Sequence, residues 1–177
     1  MPDGAIEHGS RRARPGVTAV WAKPRAKLLL VGNSAAFDQL VPHAIAGELL
    51  PPNSSIYAAG LGVCLWLRPD QRLLLLAHGV SSQNFPRRPT ANAWALDAGA
   101  RYVEFELAGE QAAAVLNTGC SLDLRTAAFA VEQCAQSRFD RVPIVIYRTA
   151  PDRFEVLTER PLASHLWCWL CRAVDDV

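Results

Sequence analysis

Gly119-Cys120-Ser121-Leu122-Asp123-Leu124-Arg125-Thr126-Ala127-Ala128-Phe129 opens the stretch that decides the fold. The run CAQSRFDRVPIVIYRTAPDRFEVLTERPLASHLWCWL, from Cys134 to Leu170, completes it. The first part reads as a turn. Cys134–Phe139 and 142–149 then make a hairpin around Asp140 and Arg141. Pro143 stands near the start of the second strand, where a missing N–H is best tolerated at an edge. Ala150-Pro151-Asp152-Arg153 turns into a strand over 154–158. A closing helix over 162–174 carries Leu162, Leu166, Trp167, Trp169, Leu170 and Val174 on a broad apolar face.

Working back from there, residues 109–117 predict a helix. Ala112, Ala113, Val115 and Leu116 form its stripe, and Gly119 serves as its stop. In RYVEFEL (101–107) the alternation puts Val103, Phe105 and Leu107 on one face of a strand and leaves Glu104 and Glu106 solvated. A short strand covers 93–96. Residues 78–92, rich in Ser, Asn, Pro and Arg, read as an exposed loop. Residues 62–67 and 72–77 are apolar runs joined by Arg68-Pro69-Asp70-Gln71, a turn with Pro at its second position. Leu28–Gly32 reads as a short buried strand, and 38–50 as a short helix weakened by Pro42 and Gly47. Residues 1–27, with Arg11, Arg12 and Arg14, read as a flexible arm. Within that arm Trp21 points to ordering against a partner. The expected organisation is therefore an arm (1–27), an N-terminal extension with a short helix (28–59) and one domain (60–177). Its class is α+β, a mainly antiparallel sheet with helices on one face.

The bulk properties exclude several functions. The chain has 177 residues and a formal charge of +1, half of its residues are hydrophobic and a fifth are charged. No whole-chain field draws it to nucleic acid or membrane. An odd set of five cysteines, with no secretory leader ahead of them, predicts reduced thiols in the cytoplasm.

The chemistry inventory is thin. Cys168 and Cys171 form a CxxC inside the last helix, where they read as structural residues rather than as half of a zinc site. Cys120 and Cys134 are candidate nucleophiles only if a base lies beside them, and His8, His43, His78 and His165 show no local pairing with either. Asp97 and Asp123 are candidate acids for a binding pocket, with Asp123 reading better as a turn cap. Arg87 and Arg88 form a small basic cluster. Gly60 and Gly62 open a hairpin and make no phosphate loop. Trp167 and Trp169 point about 200° apart at ~100° per helical residue. One is expected to bury in the core and the other against a neighbouring chain.

Several of these segments resemble the gamma subunit of heterotetrameric sarcosine oxidase. The family's G-C-P-L-D-L is similar to Gly119-Cys120-Ser121-Leu122-Asp123-Leu124, followed by Phe129. Its C-A-Q-T resembles Cys134-Ala135-Gln136-Ser137. Its apolar strand, hairpin and R-T-x-P-D-x-F turn are similar to Ile144–Phe154, and its closing aromatic helix to Leu166–Leu170. Trp66-Leu67-Arg68-Pro69-Asp70 resembles its first hairpin. The resemblance spans roughly residues 60 to 172. This chain departs from the pattern at Ser121 and Ala130, where proline is usual, at Glu132, where glycine is common, and at Ser137.

The resemblance implies a fold like the folate-binding module of aminomethyltransferases and a subunit with no active site of its own. It implies alpha, beta and delta subunits as partners, chiefly alpha. Those partners would hold FAD, FMN, NAD, tetrahydrofolate and zinc, and the complex would oxidatively demethylate sarcosine. Gly119, Cys120, Asp123, Phe129, Cys134, Gln136, Trp167 and Trp169 are the implied motif and interface residues.

Overall fold

The computed structural model describes residues 8–41, 50–85, 90 and 92–177, without the side chains of Ser34 and Asp38. The chain divides into two compact units. The first holds the described residues through Pro24, Tyr102–Val131 and Gln136–Val177; the second holds Arg25–Arg101 and Glu132–Ala135. The class is α+β, as expected, but with two sheets rather than one. The expected boundary after residue 27 lies close to the break at Pro24. The one expected after residue 59 falls inside the second unit.

The first unit is a six-stranded sheet. Its strands are β1 (Arg11–Arg14), β2 (Val17–Trp21), β8 (Tyr102–Ala108), β9 (Cys134–Phe139), β10 (Val142–Ala150) and β11 (Arg153–Glu159), in the order β1-β2-β8-β11-β10-β9. The flexible arm expected at the N-terminus is, over Arg11–Trp21, an antiparallel hairpin. Val17, Ala19 and Trp21 alternate inward, and β2 docks on β8 with Ala19 opposite Leu107 and Trp21 opposite Phe105. Period-2 burial and a ready strand edge outweigh the local Gly and Pro content. Trp21 thus buries within its own unit. Arg12 and Arg14 both reach Asp175, at 2.5 and 3.1 Å.

Two helices lie on one face of this sheet: α1 (Ala112–Asn117) and α2 (Ala163–Asp175). Ala112, Val115 and Leu116 bury from α1; Leu166, Trp167, Leu170 and Val174 bury from α2. Trp167 stacks on Phe105 with centroids 5.8 Å apart at 14°, and Trp21 tilts against it at 6.2 Å. Val103, Phe105 and Leu107 are buried as expected. Glu104 is buried as well, against the solvated reading; it stands opposite Leu157 of β11, which is itself fully buried. Gly109 starts the turn into α1 at φ +119°, and a Cβ there would lie 2.2 Å from the Gly16 carbonyl. Only glycine fits that approach.

The second unit is a five-stranded sheet in the order β4-β5-β6-β3-β7. Its strands are β3 (Lys27–Gly32), β4 (Ser55–Ala58), β5 (Gly62–Arg68), β6 (Gln71–Leu76) and β7 (Ala93–Asp97). Leu73 to Leu76 are all fully buried. An unbroken apolar run of this kind marks a strand covered on both faces. On one face Leu28, Leu30, Cys64, Leu74, Leu76 and Ala93 pack with Phe37, Leu40, Val41, Leu50 and Phe85. A 3-10 helix at Ser34–Gln39, capped by the Asn33 side chain, supplies part of that layer. The helix expected over 38–50 falls mainly on residues outside the described ones, as do His43, Arg87 and Arg88. The expected hairpin at 62–77 is present, with Pro69 and Asp70 at its turn and a register shift between Trp66 and Arg68.

Candidate functional site

The motif segment Gly119–Phe129 follows α1 directly. The amides of Gly119 and Cys120 both bond to the Leu116 carbonyl, at 3.2 and 2.9 Å, which closes the helix. Gly119 is the residue the chain needs here, for a different reason from the one its place suggests. Its φ is not left-handed; instead a Cβ would lie 2.7 Å from the buried Phe139 ring. The Gly119 carbonyl then accepts from the Asp140 amide at 2.7 Å, fixing the segment to the β9–β10 turn. Cys120 is buried, with Sγ 3.4 Å from Ser137 Oγ.

Asp123 builds a turn. Its Oδ1 accepts from the Arg125 amide at 3.1 Å, and its carboxylate takes the Arg125 guanidinium at 2.5 to 3.1 Å. That pairing pulls its pKa down to about 2. Asp97 is engaged in a similar way, accepting from Ser82 Oγ at 2.7 Å and the Gly99 amide at 2.9 Å. Both candidate acids are therefore committed to local turns.

The rest of the loop is held by a residue that the sequence reading passed over. Arg148, on β10, is only 2 % exposed. Its Nη1 donates to the carbonyls of Leu124 (3.0 Å) and Phe129 (2.6 Å), its Nη2 to Thr126 Oγ1 (2.9 Å) and to the Pro151 carbonyl, and its Nε to the Ala150 carbonyl (3.3 Å). The guanidinium lies over the Phe154 ring, 4.8 Å from its centroid. Burial lowers its pKa, and Asp152 works in the other direction. One fork thus ties both ends of the 124–129 loop to the 150–151 turn. The signal was available: a lone arginine inside IVIYRTA must find acceptors when its strand is buried. Arg72, alone before four leucines, repeats the device. It is buried, donates to the Arg68 and Gln71 carbonyls, and sits 5.6 and 5.7 Å from the Trp66 and Phe37 rings.

The cysteines fill structural places. Cys134 donates its thiol to the Ser54 and Trp66 carbonyls at 3.1 and 3.2 Å, and burial pushes its pKa up to about 12. Burial does the same to Cys64, up to about 12. A thiol held protonated in this way is a poor nucleophile at neutral pH. Cys168 is exposed and Cys171 half-buried on α2. Among the described residues, no group of three or more His, Cys, Asp or Glu side chains is placed to hold a metal. Gln136 is exposed on β9, and Phe129 is buried. Glu132 takes φ +68°, which explains why glycine is common there in the pattern it resembles.

The two helix tryptophans separate as their spacing predicts. Trp167 is buried, while Trp169 is 36 % exposed. Trp169 is nonetheless held in place: its Nε1 donates to His165 Nε2 at 3.2 Å, and Arg172 lies 5.5 Å from its ring centroid. This fixed indole borders an open cleft of about 510 Å³. Gly119, Cys120 and Ser121 line one side, Phe139 and Asp140 another, and Arg172, Ala173 and Asp176 the α2 side. The cleft therefore brings the motif residues Gly119 and Cys120 together with Trp169. Asp123, Phe129, Cys134, Gln136 and Trp167 lie outside its lining.

Residues 31–176 match the family model for the sarcosine oxidase gamma subunit. The chain belongs to that family. Among curated relatives, the sarcosine oxidase subunit gamma of Corynebacterium sp. (strain P-1) is 26 % identical over 82 % of this chain and 71 % of its own length. That of an Arthrobacter species is also 26 % identical, over 63 % of this chain and 56 % of its own length. Among solved structures, a chain of the heterotetrameric sarcosine oxidase from Corynebacterium sp. U-96, in complex with pyrrole 2-carboxylate, superposes with a TM-score of 0.76. It covers 94 % of this chain at 20 % identity. The family match extends upstream of the residues that carried the resemblance, into β3. No described helix is long and apolar enough to cross a membrane.

Proposed function

We propose that this chain is a noncatalytic assembly subunit of a heterotetrameric, cytoplasmic complex that oxidatively demethylates sarcosine. Its partners are alpha-, beta- and delta-type chains, chiefly alpha. These carry FAD, FMN, NAD, tetrahydrofolate and zinc, with tetrahydrofolate taking the one-carbon unit and hydrogen peroxide as the second product. The observation that carries the reading is the family match over residues 31–176. The use of the motif residues supports it. Gly119 admits an aromatic ring, Asp123 forms a turn, the Cys134 thiol feeds two carbonyls, and Arg148 organises a loop. Chemistry of this kind shapes a surface. The Trp169 cleft is the surface offered to alpha: an immobilised tryptophan beside an arginine is the residue pair that dominates protein interfaces.

The test is to tag the chain in its native host, purify it gently, identify the companions and record a visible spectrum. Large companion chains with a flavin spectrum, and peroxide formation on sarcosine, are expected. A colourless, partner-free monomer refutes the reading. A flavin complex that turns over another N-methylated amine and leaves sarcosine untouched keeps the assembly role and replaces the substrate.

A further inference from the structure

Trp169 is gripped by two neighbours on its own helix. One turn back, its Nε1 donates to His165 Nε2 at 3.2 Å, and the two rings stand 6.4 Å apart at 72°. Three residues on, the Arg172 guanidinium lies over the indole, 5.5 Å from the ring centroid. The i, i+4 and i, i+3 spacings bring the three side chains together on one surface of α2.

The hydrogen bond defines a protonation state. Indole nitrogen can only donate, so His165 Nε2 must be the nitrogen that accepts. The ring is therefore neutral, with its proton on Nδ1. An imidazolium carries a proton on both nitrogens and accepts on neither. Protonation of His165 breaks this bond and sets two N–H groups against each other. The indole has no ready second pose. Its edge is the positive part of its quadrupole, and its negative face is where Arg172 already lies.

No other group takes up the added charge. His165 has no further hydrogen bond, ion pair or ring contact with a described residue. The elements packed against α2 are β1, β2, β11, α1 and the turn at 160–162. On β1, Arg12 and Arg14 hold Asp175, and Arg11 bonds to Thr18. On β11, Arg153 reaches Glu106. Glu155, Glu159 and Arg160 have contacts of their own, and β2 and α1 carry no charged residue. Asp140 and Asp176 line the cleft that the indole borders.

We infer that His165 is the positioning residue for Trp169 and makes the hold on the unlike subunit depend on pH. Neutral His165 fixes the indole as a docking anchor; protonated His165 releases it, and the cleft loses a formed edge. The inference rests on the reading that this cleft meets the alpha-type chain, and adds how that contact is regulated. Imidazole changes charge between about pH 5 and 8. The latch is thus closed at the upper end of that range and opens as pH falls. Fixing one mobile side chain before binding is worth about two- to tenfold in affinity.

The test uses the full chain, alone and purified with its companions. The indole N–H resonance of Trp169, assigned by its loss in Trp169→Phe, should move together with the His165 ring signals between about pH 8 and 5. His165→Gln keeps an acceptor one turn away and cannot take the proton, so its indole resonance should hold still. Capture of companion chains by the parent should weaken about two- to tenfold over that range, beyond any loss seen with His165→Gln. That difference separates His165 from every other histidine in the complex. His165→Phe, with no acceptor at any pH, should lose the same factor already at the upper end. An indole resonance that ignores pH, or equal capture profiles for the parent and His165→Gln, overturns the inference and leaves the assembly reading in place. A parent chain that brings down no companion at any pH refutes the assembly reading and this inference with it.

Discussion

Replacing Arg148 with methionine keeps most of the aliphatic stem and removes the fork. Five acceptors lose their donor: the carbonyls of Leu124, Phe129, Ala150 and Pro151, and the Thr126 hydroxyl. Some of them regain water because the 124–129 loop has exposed members, so the five losses do not add. Removing one partner from a buried, charge-assisted network costs about 3–5 kcal/mol, and the contact with Phe154 adds about 1 kcal/mol. A loss of about 4–6 kcal/mol lowers the melting temperature by roughly 8–24 °C for a chain of this size. Thermal and denaturant unfolding measure the magnitude; amide exchange over 120–130 measures the locality. Exchange in that segment should rise by more than in β3 or β6. Lysine at 148 should recover little, since one ammonium cannot span acceptors at both ends of the loop. A methionine variant within about 1 kcal/mol of the parent, well below the cost of a broken buried pair, refutes the claim that this arginine organises the loop.

Trp167→Ala should cost about 3–5 kcal/mol of stability, as removal of a large buried aromatic does. Trp169→Ala should cost under about 1 kcal/mol yet reduce capture of companion subunits; equal melting curves for the two variants reject this division. Glu132→Gly relieves a left-handed residue and should raise stability by about 0.5–1 kcal/mol in denaturant unfolding. With a thiol reagent near neutral pH, peptide mapping should find Cys168 modified in the folded chain. Cys64 and Cys134, with pKa values near 12, should react only after unfolding. Asp123 has a depressed pKa, so its turn is fully bonded above the ordinary carboxylate value of about 4 and is lost as pH falls through about 2. Its carboxyl resonance should titrate near that value, and Arg125→Ala should return it to the usual range.

Most strands were legible because their signals are local. The leucine runs of β3 and β6, the alternation in β8 and the turn residues at Pro69-Asp70 and Pro151-Asp152 each specify an element without outside help. What escaped was set by partners distant in sequence. VTAVW alternates correctly for β2, but five residues next to three arginines become a strand only when β8 supplies an edge. Glu104 looked solvated because alternation assumes one wet face, whereas its cross-strand neighbour Leu157 is fully buried. Gly119 was noticed for the right position and the wrong cause, since a ring twenty residues away decides it. Arg148 was seen inside a turn motif, yet its acceptors lie some twenty residues upstream. The Trp167 and Trp169 division was legible from helix geometry alone, whereas the cleft beside Trp169 depends on three separate segments meeting.

The interleaving of the two units carries a consequence for synthesis. Strand β2 is made early, but its edge partner β8 emerges only after Arg25–Arg101 has been translated, and α2 comes last. The strands of the second unit all lie within that intervening stretch, so its sheet can form on the ribosome while Val17, Ala19 and Trp21 still wait. Pairings so distant along the chain are slow to nucleate, because a long loop must close before they form. During that interval the apolar side of β2 is exposed to whatever binds nascent chains. Lengthening the segment between β2 and β8 should therefore lower the yield of folded protein far more than its final stability.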